Sequence, residues 1–157
     1  MFKALTMSSF RRISLPLLRF SLGLVFVWFG ALKVVGTTPV ADLVARTVPF
    51  LDRTWFVPML GAFEVALALA LMIGRGLRWV TAVMVLHLCG TFLVFVTQPG
   101  RAFQHGNPLL LTTEGEFVLK NIVLIAAAIV VATHVRRPRM ASAGRDEPLS
   151  QQRMPAT

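Results

Sequence analysis

Glu64 is the only charged residue between Phe56 and Ile73, a run otherwise apolar enough to sit in hydrocarbon. At 1.5 Å per residue it lies roughly 12 Å below the surface where such a helix begins, close to a bilayer midplane. A carboxylate at that depth must be protonated or paired. It marks either a proton-handling site or an interhelical hydrogen bond that fixes packing. His87 falls near the middle of another apolar run, with Thr91 one turn further along. A histidine there acts as an acid or base, or simply as a packing hydrogen bond. Lys33 ends a first apolar run, where it can reach inward or snorkel to the interface. Lys120 and Asn121 lie near the start of a last run, behind Thr113-Glu114-Gly115-Glu116. That tetrapeptide reads as a capping box, with the Thr113 hydroxyl and Glu116 carboxylate covering free backbone N–H groups. Glu116 and Lys120 are also spaced as an i,i+4 ion pair. All these residues project to the midplane or to one half of a bundle. The candidate site therefore has Glu64 and His87 as catalytic acid–base groups, and Lys33, Thr91, Glu114, Glu116, Lys120 and Asn121 as ligand-binding groups.

Other chemistries are excluded by residue type. The single Cys89 forms neither an intramolecular disulfide nor a dithiol redox pair. His87, His105 and His134 lack metal-ligand spacing, and the last two lie in a loop and at a helix end, so no metal site and no bis-histidine haem is expected. No flavin, nicotinamide or iron–sulfur motif is present.

The elements that position these residues follow from composition. The 157 residues are 55% hydrophobic and only 15% charged, with a mean hydropathy of +0.70. An ordinary soluble domain is about 45–50% apolar and about 25% charged. The chain is therefore expected to be a polytopic membrane protein, all-α, with lipid as its first partner. Apolar runs at about 15–35, 56–73, 77–96 and 117–133 give four spans and no period-2 strand pattern. The first run is too long for a signal-peptide core, and Trp28 to Lys33 offers no small-x-small cleavage site.

The net charge of +9 is topological rather than a sign of nucleic-acid binding. Both termini and the Gly74–Gly76 turn together hold 11 of the 16 Lys and Arg residues. The positive-inside bias places that side, including residues 1–14 and the tail 136–157, in the cytoplasm. The tail has too little apolar surface to order and is expected to be disordered. Trp28, Trp55 and Trp79 read as interface anchors or packing groups.

On the other side, Val40, Leu43, Val44, Thr47, Val48 and Leu51 recur at helical spacing, giving an amphipathic helix with Thr38 as N-cap and Pro39 as first residue. It either lies in the interface or forms a lid over the site. In the next outer loop, Pro108-Leu109-Leu110-Leu111 is expected to dip into the interface. Gly23 with Gly30, and Ala62 with Ala66 and Ala70, put small residues on single faces that allow close packing within a bundle or between copies, so a homo-oligomer stays open.

Three segments carry a family resemblance. Arg19 to Lys33, reading Arg-Phe-Ser-Leu-Gly-Leu-Val-Phe-Val-Trp-Phe-Gly-Ala-Leu-Lys, resembles the first helix of DoxX-like membrane proteins. Leu60-Gly61-Ala62-Phe63-Glu64 resembles their second-helix glutamate motif. Thr112 to Asn121, Thr-Thr-Glu-Gly-Glu-Phe-Val-Leu-Lys-Asn, is similar to the signature of the YkgB/RclC-type branch, which is associated with resistance to reactive chlorine species. The resemblance covers about Arg19–Thr133. It implies a bacterial inner-membrane four-helix protein linked to quinone-coupled sulfur oxidation and oxidative-stress defence, acting with separate redox partners. Only Glu64 and the Glu114–Lys120 segment carry over, as positions. Three readings follow: a subunit supporting redox homeostasis by binding quinone in the outer half of the bundle, a non-catalytic anchor for a separate oxidoreductase, and a small-solute transporter.

Overall fold

The computed structural model describes the backbone of residues 2–134 and side chains from Ile13 onward. The basic tail at 136–157 lies outside the described residues. The chain forms α1 (Phe2–Val35), α2 (Ala41–Thr47), α3 (Arg53–Ile73), α4 (Leu77–Thr91), α5 (Leu93–Thr97), α6 (Pro99–Ala102), a 3-10 turn at Gln104–Gly106, α7 (Thr113–Leu119) and α8 (Asn121–Thr133). An isolated antiparallel bridge, Phe103 to Leu111, closes the α6–α7 connection. Four stretches are long and apolar enough to cross a membrane: Ile13–Val35, Arg53–Ile73, Leu77–Thr97 and Thr113–Thr133. The protein is a multi-pass membrane bundle. Each of the last three stretches has 21 residues, so the fourth is no shorter than its neighbours. Its start is hidden in the sequence because Thr113, Glu114 and Glu116 form the first turn.

The spans close into a ring. α1 packs along α3, α4 along α8, α8 also against α1, and α4 against α3. One end of the bundle carries the Gly74–Gly76 turn between α3 and α4; we term it the turn end. The other, the loop end, carries α2 and the α5–α7 connection. Gly74 and Gly76 both hold left-handed backbone, with φ of 87° and 62°, which is why two helices can reverse in so few residues.

An apolar core fills the turn-end half, built from Leu22 and Phe26 of α1, Leu67, Ala68 and Leu71 of α3, Met84 and Leu88 of α4, and Ala128 and Val131 of α8. A second cluster, Val40, Leu43, Val94, Ala102 and Val118, closes the loop end. Trp28, Trp55 and Trp79 are all exposed, facing away from the bundle.

Helix ends depart from the sequence pattern where caps decide them. α2 begins at Ala41, with Val40 at the N-cap and no side-chain cap. The Thr38 hydroxyl is buried without a hydrogen-bond partner, so neither Thr38 nor Pro39 starts the helix as expected. α7 is capped by Thr112, whose hydroxyl accepts from the Gly115 N–H at 3.1 Å. That shifts the register by one from the Thr113–Glu116 box, leaving Gly115 where the reciprocal carboxylate would stand. Glycine is required there: a Cβ would lie 2.2 Å from the Ala102 carbonyl oxygen. α3 is capped by Asp52, whose carboxyl the Thr54 hydroxyl and backbone N–H hold below its ordinary pKa.

The close face between α1 and α3 is glycine on both sides. A Cβ at Gly30 would sit 2.7 Å from the Gly61 carbonyl oxygen, and one at Gly61 would sit 2.5 Å from that of Gly30. Gly23 adds to this contact against Met72. The Ala62 and Ala66 positions are exposed instead, so that alanine stripe is not the packing face. Substituting Gly61→Leu is expected to lower the unfolding free energy by about 1–3 kcal/mol through overpacking. Ala62→Leu, one residue away but outward, should stay within about 0.5 kcal/mol. Unfolding in mild detergent distinguishes the two faces.

Candidate functional site

Lys33 and Glu64 each stand one turn past a glycine of the α1–α3 contact, Lys33 three residues after Gly30 and Glu64 three after Gly61. The helices are antiparallel, and side chains lean toward the N-terminus of their own helix. Both therefore lean back toward the same crossing. A Cβ at Gly61 would meet the Lys33 Cβ at 2.6 Å, so the lysine stem lies directly over that glycine. The two side chains meet with Lys33 Nζ 2.5 Å from Glu64 Oε2. Their side chains are 9% and 7% exposed, which makes this a buried pair. Lys33 turns inward rather than snorkelling out.

His87 completes the arrangement from α4. Its Nε2 is 2.8 Å from the second carboxylate oxygen, Glu64 Oε1. The ring stands edge-on to Phe26 and Phe63, with centroids 6.3 and 5.9 Å away. An ionised carboxylate only accepts hydrogen bonds, so with Glu64 ionised the His87 Nε2 is the donor in this contact. Glu64 is thus held at both oxygens by donors from two other helices.

A second polar pair lies across the cavity. Asn121 Nδ2 donates to Thr91 Oγ1 at 2.8 Å, and that hydroxyl donates to the Leu88 carbonyl at 2.6 Å. The Phe92 N–H turns to Cys89 O, three residues back, and helix α4 ends there. On the facing span the Val123 N–H bonds to Lys120 O, again three back, and α7 gives way to α8. Both spans stay helical through this point, with Phe92 and Lys120 in right-handed helical backbone, and each carries one tightened turn beside the polar pair. Hydroxyl-to-carbonyl bonds of this kind compete with the helix ladder.

Between these groups is a cavity of about 640 Å³, within the range of small-molecule sites, which run roughly 300–1,000 Å³. Lys33, Glu64, His87, Thr91, Lys120 and Asn121 all border it, and the rest of its wall is almost entirely apolar. α2 forms its roof through Val40, Leu43, Val44, Thr47 and Val48. The amphipathic helix thus covers the cavity at the loop end. Gln98 fastens the lid by donating to Leu43 O at 2.9 Å and to Thr47 Oγ1 at 3.0 Å. Asp42 on its outer face pairs with Arg53.

Two expected members stand elsewhere. Glu114 faces Arg101, with Arg101 Nε 3.4 Å from its carboxylate, and does not border the cavity. Glu116 is exposed and makes no ion pair with Lys120. Lys120 turns to the cavity instead. Among the described residues no group of three or more His, Cys, Asp or Glu side chains is placed to hold a metal ion. Sequence reasoning missed the aromatic walls around His87, the Gln98 latch and the paired glycines. Only the last had a legible signal, the matched patterns Gly-x-x-Lys at Gly30–Lys33 and Gly-x-x-Glu at Gly61–Glu64.

Comparison with protein-family models, with curated proteins and with solved structures returns no match. The site must be understood from its own geometry.

Removing one partner of a buried ion pair typically destabilises by about 3–5 kcal/mol, because the other charge is left stranded. Lys33→Met and Glu64→Gln should each show a loss of that order in detergent unfolding. The double variant should recover at least half of the summed loss. Strict additivity would show that the two groups are not coupled.

Proposed function

We propose that this chain is a DoxX-like membrane protein of the YkgB/RclC-type branch that binds a quinone in the cavity and manages the protons of its reduction. The observation that carries this reading is the Lys33–Glu64–His87 triad set into the wall of an otherwise apolar cavity at membrane depth. A quinone is an apolar ring with two carbonyl oxygens, and on reduction to a quinol it takes up two electrons and two protons. Such a ligand needs apolar walls, hydrogen-bond donors at its oxygens and a proton reservoir. The cavity offers each.

Lys33 has three N–H groups and gives one to Glu64, leaving others for a ligand oxygen. Asn121 and Lys120 supply donors from the facing span. Negative charge building on ligand oxygens is met by the two ammonium groups in a low-dielectric setting, where such attraction is strong. The His87–Glu64 hydrogen bond holds a proton at the cavity wall and can pass it on or take it back. Electrons come from a separate oxidoreductase, and the turn end, with the Lys and Arg excess, faces the cytoplasm of a bacterial inner membrane. In this reading the protein supports redox homeostasis under oxidative stress.

The test is quinone binding to the purified chain in lipid nanodiscs, alongside survival of oxidant challenge in cells. Glu64→Gln and His87→Ala are each expected to weaken binding by about tenfold or more, which is about 1.4 kcal/mol. Unchanged affinity and unchanged resistance in both variants would overturn the reading.

The buried Glu64 bordering the cavity favours one alternative, small-solute transport, because ionisable groups at membrane depth mark solute and ion pathways in many carriers. Solute flux through reconstituted liposomes, abolished by Glu64→Gln, would establish it in place of quinone binding. Under the quinone reading no flux is expected.

A further inference from the structure

The cavity is closed in the directions from which a water-borne solute would come. Toward the turn end stands the core of Leu22, Leu67, Leu71, Met84 and Val131, each 9% exposed or less. Toward the loop end the α2 roof is latched by Gln98 and backed by the second apolar cluster. The α1–α3 wall is sealed by backbone contact at Gly30 and Gly61.

One side remains. Of the residues bordering the cavity, those that are also exposed are Gly90, Leu93, Lys120 and Val123. Gly90 and Leu93 flank Thr91, and Lys120 and Val123 flank Asn121, so all four surround the hydrogen bond that ties α4 to α8. Leu93 and Val123 are 55% and 68% exposed, values that for large apolar residues in a span mean contact with lipid. Val123 is the middle residue of the Thr113–Thr133 stretch. Gly90 lies three residues from His87, the middle of Leu77–Thr97, or about 4.5 Å along the axis. The opening therefore faces hydrocarbon, not head groups.

We propose that the ligand enters and leaves this cavity sideways through the bilayer, by a window between α4–α5 and α8, and carries an apolar tail that rests across Gly90. The proposal rests on the quinone reading and specifies it: the ligand is a quinone with a lipid-soluble chain. Gly90 is the sill of the window. A Cβ there meets nothing within 4 Å, so this glycine is not required by packing, and its bare backbone leaves the opening clear. Lys120 stands at the same opening with no carboxylate partner among the described residues. It is the one ionisable residue among the four exposed at the opening, and so the donor nearest the lipid side for an arriving carbonyl oxygen. Behind it, Asn121 and the Lys33–Glu64–His87 triad receive the ring while the chain stays in lipid. A tailless or strongly hydrated ligand has no comparable route, since hydrocarbon lies across the only exposed approach among the described residues.

The experiment is photolabelling of the full chain in nanodiscs with a benzoquinone carrying a diazirine on a decyl chain, with and without excess unlabelled decyl-benzoquinone. Labelled peptides are then located by mass spectrometry. The expected result is competable label on the segments around Gly90–Leu93 and Lys120–Val123. Gly90→Phe, whose Cβ has open space and whose ring would obstruct the window, should reduce that label at least about tenfold. Leu86→Phe, on an exposed part of α4 that does not border the cavity, should leave it unchanged. Competable label confined to α2 or to the lipid face of α1 and α3 would overturn the window and leave the quinone reading standing. Absence of any competable label would overturn both. Undiminished label in a folded Gly90→Phe protein would show that the tail does not cross Gly90 and would overturn the assignment of the sill.

Discussion

An ammonium and a carboxylate 2.5 Å apart in the hydrocarbon depth of a bundle set the terms for the rest of this structure. Either charge alone would be strongly unfavourable there, and the pair persists only if its geometry is held without slack. The holding is done by backbone. Gly30 and Gly61 let α1 and α3 touch, and that contact brings two side chains that lean in opposite directions along the membrane normal to one level. His87 then occupies the second carboxylate oxygen, and Phe26 and Phe63 keep its ring in place. Three helices are thereby fixed relative to one another by one carboxylate.

The cavity is a consequence of how the fourth helix joins. α8 meets α4 through Asn121 and Thr91, a polar contact that lies beside one tightened turn in each span. The core of the turn-end half stops below that level and the loop-end cluster begins above it. The space between is bounded by apolar side chains, with donors concentrated at the triad and at Lys120 and Asn121. A site of this form suits a mostly apolar ligand with a few polar atoms, as the proposed quinone is.

Much of the fold was legible because hydrocarbon demands long apolar runs, and Glu64 and His87 stood out as polar residues within them. The partnership of Lys33 was not legible as such. A lysine at the end of a span satisfies itself equally by snorkelling, and only the glycine contact decides that it turns in. The alanines at 62, 66 and 70 read as a packing stripe alongside Gly23 and Gly30, since spacing identifies a small face but not the direction in which it points. The Thr113 box misled for a different reason. Thr112 and Thr113 are equivalent as sequence, and the close approach of Ala102 to Gly115 selects the first. The tightened turns at Phe92 and Lys120 are local backbone details that hydropathy does not register.

The central claim is that Glu64, held between Lys33 and His87, exchanges a proton with a quinone bound beside it. Redox-difference infrared spectroscopy of the quinone-loaded protein tests this most directly. The account expects a carboxyl carbonyl band that appears or shifts when the quinone is reduced and that is missing in Glu64→Gln. A bound quinone that is fully reduced with no change in any carboxyl band, or with the same band retained in Glu64→Gln, would contradict it.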